Sequence, residues 1–229
     1  MRMSYCAGMA IIAEGQTERV FYSEYLRHLS VKLGCEREDV ESPGPEDCSL
    51  AANGRRVLVK IDVVGTVSQM PNSGIWFQRA CLTRHPGIPW HAFLAYDTDE
   101  HNCRISKFYE GDWAILRQEL SGAADITDLA AEADIEDVIL CDLPSVLRYL
   151  GLPPDTPAPS GGKGKSKMKR LYRQVAPYNA YHEGGRARGL IKSLDFEALA
   201  TSAPIRMGRI EGTIRAELDL PAPNDKGLV

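Results

Sequence analysis

The sequence has no hydrophobic run long enough to cross a bilayer. The apolar stretch from Gly8 to Ala13 is far shorter than the roughly 20 residues that a membrane-spanning helix needs. The N-terminus also lacks a long apolar segment and a small-residue cleavage site, and Glu14 and Glu18 follow closely, so no secretory signal is expected. We therefore expect a cytoplasmic protein with no membrane partner.

Paired cysteine motifs are missing as well. Six cysteines are spread over 229 residues with no CxxC pair, which predicts free and mostly buried thiols rather than a disulfide framework or a zinc knuckle. Aromatic residues are few, at 7%, but hydrophobic residues make up 44% and charged residues 25%. This composition is typical of one ordinary globular domain, with or without an appendage.

Acidic and basic residues are unevenly distributed along the chain. The 27 Lys and Arg residues are outnumbered by 31 Asp and Glu residues, which argues against a protein that coats nucleic acid indiscriminately. Residues 1–150 hold 14 basic and 23 acidic side chains, whereas residues 151–229 hold 13 and 8. Nine basic residues and one acidic residue, Glu183, lie between Lys163 and Lys192. This basic strip on an acidic body suits a metal-dependent enzyme that acts on a polyanion, or it is a solvated charged face.

The first half of the chain alternates between strand and helix patterns. Apolar runs predict buried strands at 9–13, 57–64 and 90–96, and spacings of three and four predict helices at 17–29, 71–85 and 109–120. Residues 34–56 have no sustained period and are predicted to be a loop. The alternation implies right-handed crossovers and an α/β fold, with a mainly parallel sheet flanked by helices.

The pattern changes after Gly122. Residues 135–150 have helical spacing that Pro144 bends or breaks, and residues 151–162 are a proline-rich loop. We expect 194–199 to be the last ordered helical segment. The predicted organisation is an α/β core at 8–122, a C-terminal completion of the same domain at 123–200 with a helical, basic extension, and a tail at 201–229.

Carboxylates directly follow two of the predicted strands. Glu14 comes after the first strand, and Asp97 and Asp99 come after the third. The carboxyl ends of parallel strands meet at one edge of a sheet, where the functional groups of open α/β sheets gather. Grouped carboxylates repel one another unless a cation neutralises them, and Mg²⁺ prefers oxygen ligands. The pattern therefore predicts a metal site, unless each acid only caps a helix or lies in a turn.

These residues resemble a known family. Glu14-Gly-Gln-Thr-Glu18 after one buried strand and Asp97-Thr-Asp99 after a later one resemble the two signature motifs of the TOPRIM domain of topoisomerases, primases and OLD-type nucleases. The segment 132–142 is similar to the Glu-containing apolar helix of small stand-alone TOPRIM proteins akin to RloB, without the usual Trp or Phe beside that Glu. The resemblance spans about residues 8–200 and implies a TOPRIM (Rossmann-like) fold.

What the resemblance implies is a nuclease that cleaves phosphodiester bonds of DNA or RNA with Mg²⁺ or Mn²⁺. Glu14 would be a general acid or base, or a ligand to one ion. The implied metal ligands are Glu14, Glu18, Asp97, Asp99 and Glu136. Two cations could then clamp the attacking and leaving oxygens of an in-line displacement.

The basic strip supplies the remaining candidates. A lysine suits the charge that develops on a phosphoryl oxygen, and Lys165 and Lys167 are therefore catalytic candidates beside Glu14 and Asp97. The predicted nucleic-acid-binding residues are Lys163, Lys165, Lys167, Lys169, Arg170, Arg173, Arg186 and Arg188.

Two other functions stay open at this point. The chain could be a non-catalytic TOPRIM-like interaction module, or a nucleotidyl or phosphoryl transferase, because primases share the acidic motifs. Stand-alone relatives are often linked to a separate ATPase in defence against phage, so the resemblance allows a nuclease effector with such a partner.

Three further motifs are rejected. Gly164-Lys165-Ser166 is similar to the end of a phosphate-binding loop, but Pro159 stands where that motif needs its first glycine. His101 and Cys103 have no second pair of metal-ligating residues beside them. No Gly-x-Ser-x-Gly sequence indicates a covalent hydrolase.

Overall fold

A computed structural model describes residues 4–40, 46–65, 69–98 and 110–222. Within these ranges the chain forms one six-stranded sheet. Its strands are β1 (Ala7–Ala13), β2 (Glu36–Asp39), β3 (Cys48–Ala52), β4 (Arg55–Val63), β5 (Trp90–Asp97) and β6 (Asp125–Ala131).

The sheet is mainly parallel, as the sequence predicts. Its strand order is β2-β3-β4-β1-β5-β6. The four strands β4, β1, β5 and β6 run parallel to one another, and β3 and β2 extend the sheet beyond β4 with antiparallel pairing. In register, Ala13 lies beside Val63 and Ala95, and Asp97 lies beside Ala131. The carboxyl ends of the parallel strands therefore meet at one edge.

Helices cover both faces of this sheet, which confirms the predicted α/β class. They are α1 (Gln16–Lys32), α2 (Met70–Trp76), α3 (Glu110–Glu119), α4 (Ile135–Leu140), α5 (Leu143–Leu150), α6 (Gly164–Val175), α7 (Arg188–Lys192), α8 (Phe196–Ser202) and α9 (Gly208–Glu217). A π-helical segment, Phe77–Thr83, continues α2, and a 3₁₀ turn, Gly184–Ala187, leads into α7.

The central strand β1 is buried on both faces, so its side chains belong to two different cores. Met9 and Ile11 pack in a large cluster with α1 and the C-terminal helices. Ala10 and Ile12 face the opposite cluster, which the helices α2 and α3 complete with residues such as Trp113. Because successive side chains of a strand point to opposite faces, one short apolar run supplies both cores.

The predicted loop at 34–56 is wrong, because this segment contains β2, β3 and the start of β4. The sequence of β2 is Glu-Arg-Glu-Asp, so it shows no alternation of hydrophobic and polar residues. It is a strand because its backbone pairs with β3. The turn from β3 to β4 is Asn53-Gly54, and both residues have positive φ angles of 51° and 72°. Such Asn-Gly pairs favour tight hairpins.

Regular structure after residue 122 also extends further than predicted. Residues 125–131 form β6, which the small, acidic composition of this segment did not indicate. The last helical segment is α9 rather than 194–199, so the predicted tail at 201–229 holds a packed helix. Residues 223–229 lie outside the described residues.

Other predictions are confirmed for the described residues. Helical structure between 135 and 150 is broken after Leu140, and Pro144 lies in the first turn of α5. Cysteines 6, 35, 48, 81 and 141 are free thiols, but the prediction that they are mostly buried is wrong, because only Cys48 and Cys81 are buried and Cys141 is exposed. Within the ranges that the structure covers, no helix is both long and apolar enough to span a membrane.

Helix α9 should be part of the folding core rather than an appendage. Ile214 is fully buried, whereas Ile115 on α3 is 59% exposed. We expect Ile214→Ala to lower the free energy of unfolding by about 2 to 5 kcal/mol through the cavity that it leaves. The same change at Ile115 should cost no more than about 0.5 kcal/mol. Urea denaturation of both variants measures the difference, and equal effects would contradict the assigned packing.

Candidate functional site

A cavity of about 370 Å³ opens at the carboxyl edge of the sheet. Its lining combines the ends of β1 and β5, the first turns of α1 and α4, the start of α6 and the segment before the 3₁₀ turn. The lining residues are Glu14, Gly15, Gln16, Thr17, Glu18, Gly65, Asp97, Asp134, Ile135, Glu136, Lys163, Lys165 and Glu183. Six of them are acidic and two are basic, so the cavity favours cations.

Glu14 and Asp97 meet here although 83 positions separate them in the chain. The Asp97 backbone N–H donates a hydrogen bond of 3.1 Å to Glu14 Oε2. Asp97 Oδ1 is buried and has no hydrogen-bond partner in the described part of the chain. A buried carboxylate oxygen without a partner is costly, and it is an available ligand for a cation.

Glu18 enters the cavity from the first turn of α1. Gly15 is the N-cap of this helix, and a β-carbon at Gly15 would lie only 2.8 Å from Glu18 Oε2. The glycine in the Glu14-Gly-Gln-Thr-Glu18 motif therefore makes room for the Glu18 carboxylate. The partial positive charge of the helix N-terminus stabilises a carboxylate at this position.

Burial and mutual repulsion raise the pKa values of the acidic group. Burial first, and then the charges of Glu18 and Glu14, raise the pKa of Asp97 to about 10. Burial, together with the charge of Glu136, raises the pKa of Glu18 to about 8. Glu136 has a pKa of about 7, raised by burial and by Asp134. At neutral pH this site therefore retains protons wherever no cation replaces them.

Two residues that hold Glu136 in place were not predicted from the sequence. Asp134 is the N-cap of α4 and accepts a hydrogen bond of 2.9 Å from the Asp137 backbone N–H. Tyr181 donates its hydroxyl to Glu136 Oε1 at 2.9 Å. The Asp134-Ile-Glu-Asp137 sequence before an apolar run is an N-cap signal that could have located the start of α4.

The start of α6 packs directly against the start of α4. The Gly164 N–H donates to Asp137 Oδ2 at 2.8 Å, and the Lys165 N–H donates to Asp134 Oδ2 at 3.1 Å. A β-carbon at Gly164 would lie 2.1 Å from the Asp137 backbone nitrogen. Gly164, which belongs to the rejected phosphate-loop motif, is thus required for the close contact between α4 and α6. That motif would also need a preceding strand, and residues 151–163 form none.

The lysine candidates separate in the structure. Lys163 and Lys165 line the cavity, and Lys165 Nζ lies 2.6 Å from Glu183 Oε1. Lys167 does not line it, because its Nζ contacts Asp137 Oδ1 at 2.6 Å. Of the two catalytic candidates, the geometry favours Lys165.

The basic strip is likewise divided. Lys169, Arg170 and Arg173 are exposed on α6, opposite its buried face, and Arg186 is exposed in the 3₁₀ turn. Arg188 instead pairs with two acidic side chains, Glu24 at 2.6 Å and Glu46. The first of these ion pairs joins α7 to α1, and a phosphate contact at Arg188 would have to displace both carboxylates.

Part of the predicted metal site lies outside the described residues. This applies to Asp99 and to the rejected pair His101 and Cys103. Within the described ranges, no three His, Cys, Asp or Glu side chains are grouped as ligands of one metal ion. Mg²⁺, however, commonly takes only one or two protein carboxylates and completes its shell with water and substrate phosphate. The partnerless Asp97 oxygen and the oxygen-rich lining fit that requirement.

Comparisons with known proteins identify no family. No protein-family model matches the chain, and a search of curated proteins gives no match. Among solved structures, a futalosine hydrolase mutant of Helicobacter pylori strain 26695 is similar at 10% identity and a TM-score of 0.28, over 93% of this chain and 99% of that chain. A similarity this low carries no argument about function, which has to be inferred from the site.

The contact between α4 and α6 gives a direct test of the site's scaffold. Gly164→Ala forces a methyl group against backbone atoms that cannot move aside, and we expect it to lower the free energy of unfolding by about 1 to 3 kcal/mol. Gly212→Ala, in an open part of α9, should be neutral or stabilise the protein by up to about 1 kcal/mol. Thermal denaturation measures both, and a neutral Gly164→Ala would contradict the close contact.

The raised pKa values predict how stability depends on pH in metal-free protein. Between the ordinary pKa of Asp97, 3.8, and its raised value of about 10, the folded state binds more protons than the unfolded state. The free energy of unfolding should therefore fall as pH rises through this window. Asn at position 97 needs no proton uptake on folding, so at pH 8 in EDTA Asp97→Asn should stabilise the protein by on the order of 1 to 3 kcal/mol, and by little near pH 4. A destabilised variant at pH 8 would contradict this electrostatic account.

Proposed function

We propose that this protein is a metal-dependent phosphodiesterase that cleaves DNA or RNA. The observation that carries the proposal is that the half-buried Glu14 and Asp97 line one cavity with the buried Glu18 and Glu136, and that Asp97 Oδ1 in this cavity has no partner among the described residues. Lys163 and Lys165 on the rim of the same cavity add positive charge suited to a phosphate. The proposal agrees with the TOPRIM resemblance of the Glu14 and Asp97 motifs.

The cavity offers two groups of ligands for Mg²⁺ or Mn²⁺. Glu14 and Asp97 would hold one ion, and Glu18 and Glu136 are candidates for a second. A bound ion would supply Lewis-acid activation of a water molecule and charge stabilisation of the phosphoryl oxygens. It would also replace the protons that these carboxylates otherwise hold, because a nearby cation lowers their pKa values.

The protein's own groups have distinct tasks in this proposal. Lys165, at the first turn of α6, donates to a phosphate oxygen and stabilises the negative charge that develops there. Glu136 is oriented by the hydrogen bond from Tyr181, which would keep its other carboxylate oxygen available to the second ion. Glu14 is fixed by the Asp97 N–H, which keeps its carboxylate at the strand edge.

The nucleic acid would be held by the exposed cations of α6. Lys169, Arg170 and Arg173 lie on the helix whose first turn borders the cavity, so a bound strand can pass from this surface to the carboxylates. Phosphate contacts of this kind do not depend on base sequence. By the same resemblance, the proposed nuclease would be a phage-defence effector that works with a separate ATPase.

A cleavage assay of variants at Glu14 and Asp97 tests the proposal. Purified protein with Mg²⁺ or Mn²⁺ should convert labelled single- and double-stranded DNA and RNA to shorter products, seen on denaturing gels. Glu14→Gln and Asp97→Asn should each reduce the rate by at least about 100-fold, because each removes a ligand needed for transition-state charge stabilisation. EDTA should abolish cleavage in every case.

Glu132→Gln is the matched control. Glu132 is exposed beside the site but does not line the cavity, so this variant should cleave like the wild type. If Glu14→Gln and Asp97→Asn both cleave as fast as Glu132→Gln and the wild type, the proposal is rejected. Calorimetry that detects no Mg²⁺ or Mn²⁺ binding would favour a non-catalytic module instead, and incorporation of labelled nucleotides would favour a transferase.

A further inference from the structure

The ion pair between Lys165 and Glu183 places an acidic side chain at the phosphate-binding end of the cavity. The Nζ and Oε1 atoms are 2.6 Å apart, and both residues line the cavity. A substrate phosphate that reaches Lys165 therefore has to displace a carboxylate already bound there. Glu183 is also the only acidic residue between Lys163 and Lys192.

Both partners of this pair are fixed by neighbouring contacts. The Lys165 N–H donates to Asp134, which anchors the first turn of α6. On the other side, Tyr181 is bound to Glu136, and the Gly184 N–H donates to Thr17 Oγ1 at 3.0 Å. Gly184 has a φ of 64°, a left-handed conformation that favours glycine. Glu183 is thus held between two anchors, and its carboxylate stays close to Lys165.

We propose that Glu183 is an internal competitor for Lys165 that restricts the site to polynucleotides. This inference rests on the proposed function and names its substrate class. A mononucleotide or free phosphate has only the cavity contacts with which to displace Glu183. A polynucleotide has neighbouring phosphates as well, and these can bind the exposed cations of α6.

The dimensions of α6 allow this second set of contacts. At about 1.5 Å per residue, Arg173 lies roughly 12 Å along the helix axis from Lys165, with Lys169 between them. Phosphates bound there raise the effective concentration of the next phosphate at Lys165 into the millimolar range. The two side chains of the ion pair are 42% and 49% exposed, so the pair is weak enough for a tethered phosphate to displace.

Binding of thymidine monophosphate, which has no phosphodiester bond to cleave, tests the competition. With Mg²⁺ present, Glu183→Gln should bind the mononucleotide about fivefold more tightly than wild type in calorimetry. The double variant Lys165→Gln/Glu183→Gln should lose that gain. Glu132→Gln, which removes a nearby charge without contacting Lys165, should show no comparable gain. A Glu183→Gln variant without tighter binding, or a gain that persists without Lys165, would overturn the inference.

Binding of a thymidine oligomer tests the role of α6. The protein used carries Glu14→Gln, and the double change Lys169→Gln/Arg173→Gln is added to it. This double change should weaken oligomer binding. It should also reduce the magnitude of the slope of log binding constant against log salt concentration by about 1.4, at roughly 0.7 for each lost contact with a single strand. Mononucleotide binding should stay unchanged. Equal loss for both ligands, or for neither, would overturn the inference.

These measurements are independent of cleavage. A confirmed exchange at Lys165 without any nuclease activity would reject the proposed reaction and keep the phosphate site. Active nuclease with no effect of Glu183→Gln on binding would reject the competitor and keep the reaction.

Discussion

The repulsion between carboxylates at the ends of parallel strands is the constraint on which the rest of this structure depends. Parallel pairing of β1 with β5 places Glu14 and Asp97 side by side, because both strands end at the same edge of the sheet. Burial then makes each charge more costly, since the surrounding dielectric is lower than that of water. The pKa of about 10 for Asp97 expresses this cost. The sheet that stabilises the fold thus creates an edge that is unfavourable at neutral pH without protons or cations.

Helix N-termini offset part of this cost. The first turns of α1, α4 and α6 all border the cavity, and each has backbone N–H groups that no intrahelical carbonyl satisfies. Asp134 shows the result most clearly, because it accepts N–H groups from both α4 and α6. These hydrogen bonds oppose the effect of burial on its pKa. Gly164 permits this arrangement, since a side chain there would separate the two helices. The C-terminal part of the chain therefore completes the site instead of forming a separate unit.

The sequence predicts those parts of the site that depend on local patterns. Glu14 and Asp97 directly follow apolar runs, so their position at strand ends can be read from a few residues. Glu183 and Tyr181 could not be found in this way, because their roles depend on contacts with Lys165 and Glu136 that only the folded chain creates. The missed elements have similar causes. Strand β2 is charged and pairs through its backbone, strand β6 holds two aspartates and no long apolar run, and the buried face of α9 includes Glu211 beside Ile210 and Ile214. Only the Asn53-Gly54 turn gave a local signal that the loop prediction overlooked.

The acids of the inner cavity need a neutralising species, which is either protons or a cation. Lys165 is already paired with Glu183. Partial burial lowers the pKa of Lys165, but the hydrogen bond to Glu183 outweighs this effect, so the pKa is raised overall. That lysine therefore neutralises the acid on the rim and not those around Asp97. Protons can neutralise the inner group in metal-free protein, as the raised pKa of Asp97 indicates, and Asp97 Oδ1 still has no partner among the described residues. A divalent cation needs only oxygen ligands and water. In the proposed function, the inner acids would take up the cation and Lys165 would exchange Glu183 for a phosphate, so both events would follow from how the charges are arranged in this one cavity.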